Sequence, residues 1–487
     1  MVSCRSGAER DAPSPGSNNL SHDETPGGPT AEGATSRIAS PLDKEHVLLT
    51  LGLVLTVAAV AFETLAIATV LPAVVAELGG LHLYGWAFSA FLLTQLVAIV
   101  IAGLVADQRS PGLPFAVGVI LFAAGLLVGG LAPSMLVLIA GRALQGLGGG
   151  AISAIAYVGI GRGYPEEARP RMLALLSTAW VVPGLVGPAL SGVIAEGFGW
   201  RAVFLALAPL PLLTGLLAFP QLRAMPAGTP APDARARTVG ALVLAGGAGL
   251  FLAGLGNGQL VPAVVMIVVG LGMLVPALRR LLPPGTLRAA PGLPATIATM
   301  GLLNLAFFGV DVFVPLTLVE VRGSTVAVAG IALTVATMAW SAGSWIQART
   351  AERVSRRSMT RVGVVLLAFS FLTMVAVLFP SVPLPVGIVG WGFAGLGMGL
   401  AYTTLSLAML ELAEPGQEGE GSASLNLAAV LGSGFGAGIG GAFVALLSQE
   451  GESLTRALLV QDWVMLGVAA LAFLAARGLP GVPPRTG

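Results

Sequence analysis

Three ionisable side chains stand in stretches that are otherwise apolar. Glu63 divides LGLVLTVAAVAF from TLAIATVLP, Asp311 sits within LAFFGVDVFVPL, and Arg142 interrupts VLIAGRALQGLGGGAIS. Two carboxylates and a guanidinium in such surroundings can bind and release protons, pair with one another, or hold a cation. An acid at the centre of a membrane helix costs of order 2.5–3.5 kcal/mol on insertion scales, so it is read as functional by default. Other chemistries are poorly supplied. His22, His46 and His82 lie outside the apolar runs and Cys4 is the only cysteine. The glycine-rich runs lack the Lys-Ser/Thr of a phosphate loop. No enzyme, resident metal or cofactor is expected.

The elements that carry these charges follow from composition. Of 487 residues, 55% are hydrophobic and 10% charged, against about 25% charged in soluble domains. The net charge of +1 gives no basic face for nucleic acid. Apolar windows of roughly 20 residues are the length of a membrane-spanning helix. Fourteen are predicted, near 47–71, 84–105, 114–132, 135–160, 172–195, 202–220, 239–256, 260–278, 293–317, 326–348, 361–379, 384–411, 422–447 and 462–477. With the N-terminus inside, only Arg201, Arg322 and Arg456 of the 25 basic residues fall in outer loops; Arg142 lies within a window, and the rest are inside. This is the bias of the positive-inside rule, and it places both termini in the cytoplasm. Residues 1–46, rich in Ser, Pro and Gly, read as a disordered tail, and 478–487 as a second cytoplasmic tail. Lysine occurs once and glycine 67 times, the imprint of a GC-rich genome, so the expected location is a bacterial cytoplasmic membrane.

The windows repeat. GRALQGLGGGAIS (141–153) aligns with GWGFAGLGMGLAY (390–402), and Gly103/Asp107 have a counterpart in Gly343/Gln347. Windows 1–6 therefore map onto 9–14, with 7 and 8 inserted, an organisation common in transporters. The predicted domains are a six-helix bundle over 47–220, a linker with two extra helices over 221–290, and a second bundle over 291–477.

Five motifs occur in order along this frame. They are Glu63-Thr64 through Leu71-Pro72; GLVADQRSPG (103–112); Arg142 with Gln145 and Gly146; VPGLVGPALSG (182–192); and Trp200-Arg201 with Phe204 and Pro209. Over about residues 47–477 the chain resembles the major facilitator superfamily in its fourteen-helix drug:proton antiporter branch. The resemblance implies an all-α integral membrane fold of two six-helix bundles plus two inserted central helices. It implies a proton-coupled exporter of amphipathic or drug-like molecules working by alternating access. Export or import of a specific lipid, siderophore or metabolite, or a transport-inactive sensor, are the alternatives. Its partners would be a small-molecule substrate, protons and the lipid bilayer, and it would act as a monomer. Glu63 replaces the branch's usual Asp. The loop after window 2 keeps Asp107 and Arg109 but has Ser110-Pro111-Gly112 in place of later basic residues.

On this reading Asp311 and Glu63 are the proton-coupling residues, the only carboxylates well inside apolar windows, facing a shared cavity. Arg142 lies about 7 residues below the outer surface and Glu63 about 8, at 1.5 Å each, so the two are expected to pair. In the second half Trp391 takes the place of Arg142, which leaves Asp311 without a cation and makes it the better proton carrier. Gln145, Phe307, Phe308, Trp340 and Tyr402 are candidate cavity residues. Asp107, Arg109, Gly187, Pro188 and Gln347 are gating candidates. Glu411, Glu414, Glu418 and Glu420 read as a solvated acidic loop.

Overall fold

A computed structural model describes residues 43, 46–229, 234–414, 418–449 and 453–481. The predicted N-terminal tail falls almost wholly outside the described residues, as do residues 482–487. Among the described residues, fourteen helices are long and apolar enough to cross a membrane, the number predicted. They are α1 Val47–Leu78, α2 Trp86–Gln108, α3 Gly112–Gly130, α4 Met135–Gly163 and α5 Arg169–Phe198. Then come α6 Trp200–Ala224, α7 Ala234–Leu255, α8 Leu260–Leu281, α9 Leu293–Val321 and α10 Val326–Thr350. The last four are α11 Arg356–Val377, α12 Leu384–Leu412, α13 Glu418–Gln449 and α14 Leu454–Ala475.

Three helices differ from their windows in ways that matter. α1 runs through Pro72 to Leu78, beyond the end of its window, with the proline inside the helix. α14 begins at Leu454, eight residues ahead of its window, because Arg456, Gln461 and Asp462 dilute its first turns. α9 is broken. Its α-helix ends at Asp311, a short turn spans Val314–Leu316, and a π-helical turn covers Thr317–Val321. Pro315 accounts for the break, having no N–H for the carbonyl four residues earlier. Two carbonyls at the break are bonded by side chains: Gly309 by Gln461 Nε2 of α14, and Val312 by Tyr84 Oη at 3.0 Å. Broken backbone at membrane depth survives only where protein satisfies it in this way.

The repeat is visible in the packing. In α4, Gly146 and Gly150 lie against the Phe91 and Gln95 carbonyls of α2, while Gly148 lies against Gly118 and Phe122 of α3. In α12, Gly395 and Gly399 lie against the Ala336 and Trp340 carbonyls of α10, while Gly397 lies against Gly363 and Leu367 of α11. Small residues let helix backbones approach this closely, where dispersion rather than water exclusion holds membrane helices together. α4 is thereby the central rib of one half and α12 of the other. The inserted helices α7 and α8 pack on each other, and α7 also leans on α2 and α13.

The halves meet along α5–α10 and α2–α13, and their ties are concentrated at one end. Ser89 Oγ donates to the Gly434 carbonyl at 2.9 Å, Ala327 N donates to Glu196 Oε1 at 2.7 Å, and Tyr84 bridges to Val312. Gly85 abuts Ala437 and Gly441, and Gly192 abuts Ala327. This is the arginine-poor end. At the arginine-rich end nothing comes within 4 Å of where a side chain on Gly103 or Gly161 would begin, and Leu173, Trp180 and Val182 of α5 are exposed.

A side chain at Gly146 or Gly395 would strike a neighbouring carbonyl, so Gly146→Val and Gly395→Val are expected to destabilise by roughly 1–3 kcal/mol, the usual cost of overpacking. Gly161→Ala, facing open space, should be neutral or gain up to about 1 kcal/mol. Thermal unfolding of the detergent-solubilised proteins, followed by size-exclusion fluorescence, checks both.

Candidate functional site

Glu63 stands at the middle of α1, because that helix continues past Pro72. Arg142 reaches it from the second turn of α4. The close α4–α2 approach that Gly146 permits against the Phe91 carbonyl also brings the Ala87 carbonyl, one turn away, within reach of Arg142. Nε donates to that carbonyl at 2.8 Å, and Nη1 donates to both Glu63 Oε1 and Gln145 Oε1. The guanidinium lies 4.4 Å from the centre of the Phe91 ring. Glu63 and Arg142 are 3% and 1% exposed. The predicted pair is therefore present, and Gln145 is buried as part of its cradle. Glu63 Oε2 has no partner among the described residues.

The register that places Gly146 on Gly395 places Arg142 on Trp391. Trp391 Nε1 donates to Asp311 Oδ1 at 3.2 Å. The counterpart of the guanidinium is thus a neutral N–H. Trp391 is fully buried, stacked on Phe307 at 5.4 Å on one side and on Phe371 at 6.4 Å on the other. Phe307 meets Phe308 and Trp340 edge-on, and Trp340 packs on Tyr402 at 5.8 Å. The four aromatic residues named as cavity candidates therefore form one cluster around Trp391, with Asp311 at its edge. Trp345, by contrast, is exposed.

The two acids are engaged each within its own half. Glu63 is sealed, while Asp311 is only partly buried. Asp311 lies at a helix break and is held by a single neutral donor.

The gating candidates are spread over both ends. Asp107 Oδ1 accepts from Arg162 Nη2 at 2.8 Å, and Arg162 Nη1 donates to the Ala106 carbonyl, joining the last turn of α2 to the end of α4. Arg109 follows α2 and is exposed. In the second half the start of α11 is tied to the end of α12 instead: Arg356 donates from Nε and Nη2 to the two oxygens of Glu411, at 3.0 and 2.6 Å. Glu411, which reads from sequence as a solvated loop residue, is one arm of this two-pronged bridge. Gly187 faces the Phe62 ring, and the Pro188 carbonyl lies against Gly330 of α10. Gln347 is buried with its Nε2 unpartnered among the described residues.

One intramembrane acid escapes the sequence reading. Asp462, 3% exposed in α14, is a third carboxylate inside a span. Its only sequence signal is an acid between Gln461 and Trp463, at the point where the apolar window begins and a helix end would ordinarily place a polar residue.

Removing one partner of a buried ion pair strands the other charge, at a cost of about 3–5 kcal/mol. Arg142→Met and Glu63→Gln are each expected to lose stability on this scale. The double replacement Glu63→Leu/Arg142→Met should lose clearly less than the sum. Unfolding midpoints of the three variants measure the coupling directly.

Known proteins share both the sequence and the architecture. Over 429 residues the chain is 28% identical to a probable multidrug-efflux transporter of Mycobacterium tuberculosis, covering 83% of this chain and 89% of that protein. It is 30% identical over 169 residues to the multidrug transporter protein MdtP of Bacillus subtilis, 35% of this chain and 31% of that one. Among solved structures it is similar to a bacterial homologue of the human lysosomal transporter Spinster, in an inward-facing and unoccupied conformation. The TM-score there is 0.66 at 16% identity, covering 90% of this chain and 98% of that one. A D-xylose–proton symporter gives 0.63 at 13% identity, over 90% and 98%. The sequence profile of the Major Facilitator Superfamily matches residues 52–392. A profile match over most of the chain, joined to fourteen spans arranged as two repeated halves, makes this a multi-pass membrane transporter belonging to the Major Facilitator Superfamily.

Proposed function

We propose that the protein is a proton-coupled exporter of amphipathic, cationic small molecules, working by alternating access of its two six-helix halves. The observation that carries this reading is the unequal treatment of two intramembrane acids. Glu63 has a guanidinium for a partner, whereas Asp311 has an indole N–H and a wall of aromatic rings. Such a wall attracts organic cations through the ring quadrupoles, most strongly where water is excluded. A proton and a cation then compete for the same carboxylate, and that competition is sufficient for exchange. Each positive charge moved inward across 100 mV yields about 2.3 kcal/mol. The name of the Mycobacterium tuberculosis relative, a probable multidrug-efflux transporter, supports the direction, and both relatives' multidrug names support the cargo class.

On this reading the arginine-rich face is cytoplasmic, in a bacterial plasma membrane, with both termini inside. The seal at the arginine-poor end then makes the present conformation inward-facing. The Asp107–Arg162 and Arg356–Glu411 bridges at that face tie α2 to α4 and α11 to α12, each within its own half. The carrier acts as a monomer and is powered by the proton gradient.

Inside-out vesicles test the reading. Asp311→Asn should cut proton-driven uptake of a fluorescent organic cation at least tenfold while leaving fold and insertion intact. Trp391→Phe, which keeps the stack and loses the N–H, should shift the pH at which uptake is half-maximal. Undiminished coupling in Asp311→Asn would sink the assignment.

A further inference from the structure

We propose that Asp462 of α14 is a second proton-binding site, so that each transport cycle carries two protons; this rests on the proton-coupled reading above.

The face of α14 that bears Asp462 is its bundle face. Leu458, Gln461, Asp462, Met465, Ala469 and Ala472 are all buried, while Trp463 is exposed on the opposite side. Asp462 therefore points among helices and not toward lipid. Among the described residues it has neither a hydrogen bond nor an ion pair.

The ionisable groups on the elements packed against α14 leave it no counter-charge. α9 carries only acids, Asp311 and Glu320. The arginines of α11 cluster at its first turns. Arg356 is committed to Glu411, Arg357 donates to the Leu479 carbonyl, and Arg361 lies over the Phe473 ring at 4.8 Å. α13 carries Glu418 and Glu420 at its start and no base. On Asp462's own helix, Arg456 lies in the first turn of α14, more than one turn before Asp462, and Arg477 follows α14 at the arginine-rich end. Arg322, at the opposite end, donates to the Val377, Phe379 and Val382 carbonyls. Several other buried polar groups of this half bond their own helix: Asn304 to Met300, Ser433 to Ala429, Thr404 to Leu400. An ionised carboxylate has no donor with which to do this. A carboxylic acid does, and the proton it holds is the ligand of the site.

The site is joined to the first one. Gln461, next to Asp462, donates to the Gly309 carbonyl of α9, and Met465 packs on the same glycine. Gly309 lies two residues before Asp311 and the helix break. A movement of α9 as Asp311 exchanges proton for substrate pulls on α14 through this contact. It thereby changes the surroundings of Asp462. The first half offers nothing equivalent, its one buried acid being neutralised by Arg142.

The consequence is electrical. Two protons entering for one monovalent cation leaving move one net charge, so exchange responds to membrane potential as well as to the pH gradient. With one proton it is electroneutral.

Infrared spectroscopy of the purified protein at mildly acidic pH reads the site without any substrate. A protonated-carboxyl band is expected in the wild type, about halved in Asp311→Asn and in Asp462→Asn, and absent in the double variant. A band abolished by Asp311→Asn alone would overturn the proposal, and that arm does not require an Asp462 variant to fold. In proteoliposomes holding a valinomycin-set potential, exchange of ethidium should depend on potential in the wild type and lose that dependence, while keeping its pH drive, in Asp462→Asn. Retention of full potential dependence in Asp462→Asn would equally overturn it. A wild type without pH-driven exchange would instead refute the proton-coupled reading, and the infrared arm would still decide the site.

Discussion

Arg142 bonds three things at once: the carboxylate of α1, the amide of Gln145 on its own helix, and a carbonyl of α2. A guanidinium presents five donors in a fixed fork, and in a medium without water each donor left over is a cost. Two of its nitrogens, Nε and Nη1, are engaged here by acceptors from three helices. Gly146 and Gly150 bring α4 onto α2, Gly148 brings α3 onto the other side, and α1 supplies the acid at mid-depth. Loosening any one of these approaches would expose part of a buried charge pair. The pair thus fixes how α1, α2 and α4 sit together, which is a structural task even before any proton is considered.

The second half keeps the rib and the glycine contacts but replaces the guanidinium with an indole. The acid moves onto a helix that Pro315 has broken, and the surrounding space fills with aromatic rings. A duplicated scaffold has in this way been divided into a half whose acid meets a guanidinium and a half whose acid meets an indole N–H. The dividing step is a change of one side-chain type at one register position, and the packing around it could stay the same because Trp391 is enclosed by Phe307 and Phe371.

Much of this is legible in the residues themselves. Long apolar windows give the count of spans, because a helix clad in apolar side chains is one of the few structures that lipid admits. The depths of Glu63 and Arg142 point to their pairing, and the Gly-Leu-Gly register puts Trp391 where it is found against Asp311. What escapes depends on effects that a window average erases. Pro72 sits inside α1 because neighbouring helices hold that helix past it. Asp462 is hidden because three polar residues near the start of α14 lower its apolarity below that of a span. Glu411 looks solvated because its partner, Arg356, is 55 residues away in sequence. The break in α9 is signalled by Pro315, yet the side chains that satisfy it come from Tyr84 and Gln461, which no local pattern connects.

The two bridges at the arginine-rich end carry an implication of their own. The register that aligns Arg142 with Trp391 also aligns Arg162 with Glu411, so the ends of α4 and α12 bear opposite signs at equivalent positions. Around an axis relating two identical copies, every charge would confront its own kind and resist approach. At this one register position the duplication has inverted the sign of the charge, and each charge is met within its own half, Arg162 by Asp107 and Glu411 by Arg356. Neither half therefore brings an unpaired charge to that face from this position. The divergence of the halves, which blurs their common origin, has here exchanged acid for base while keeping the pairing.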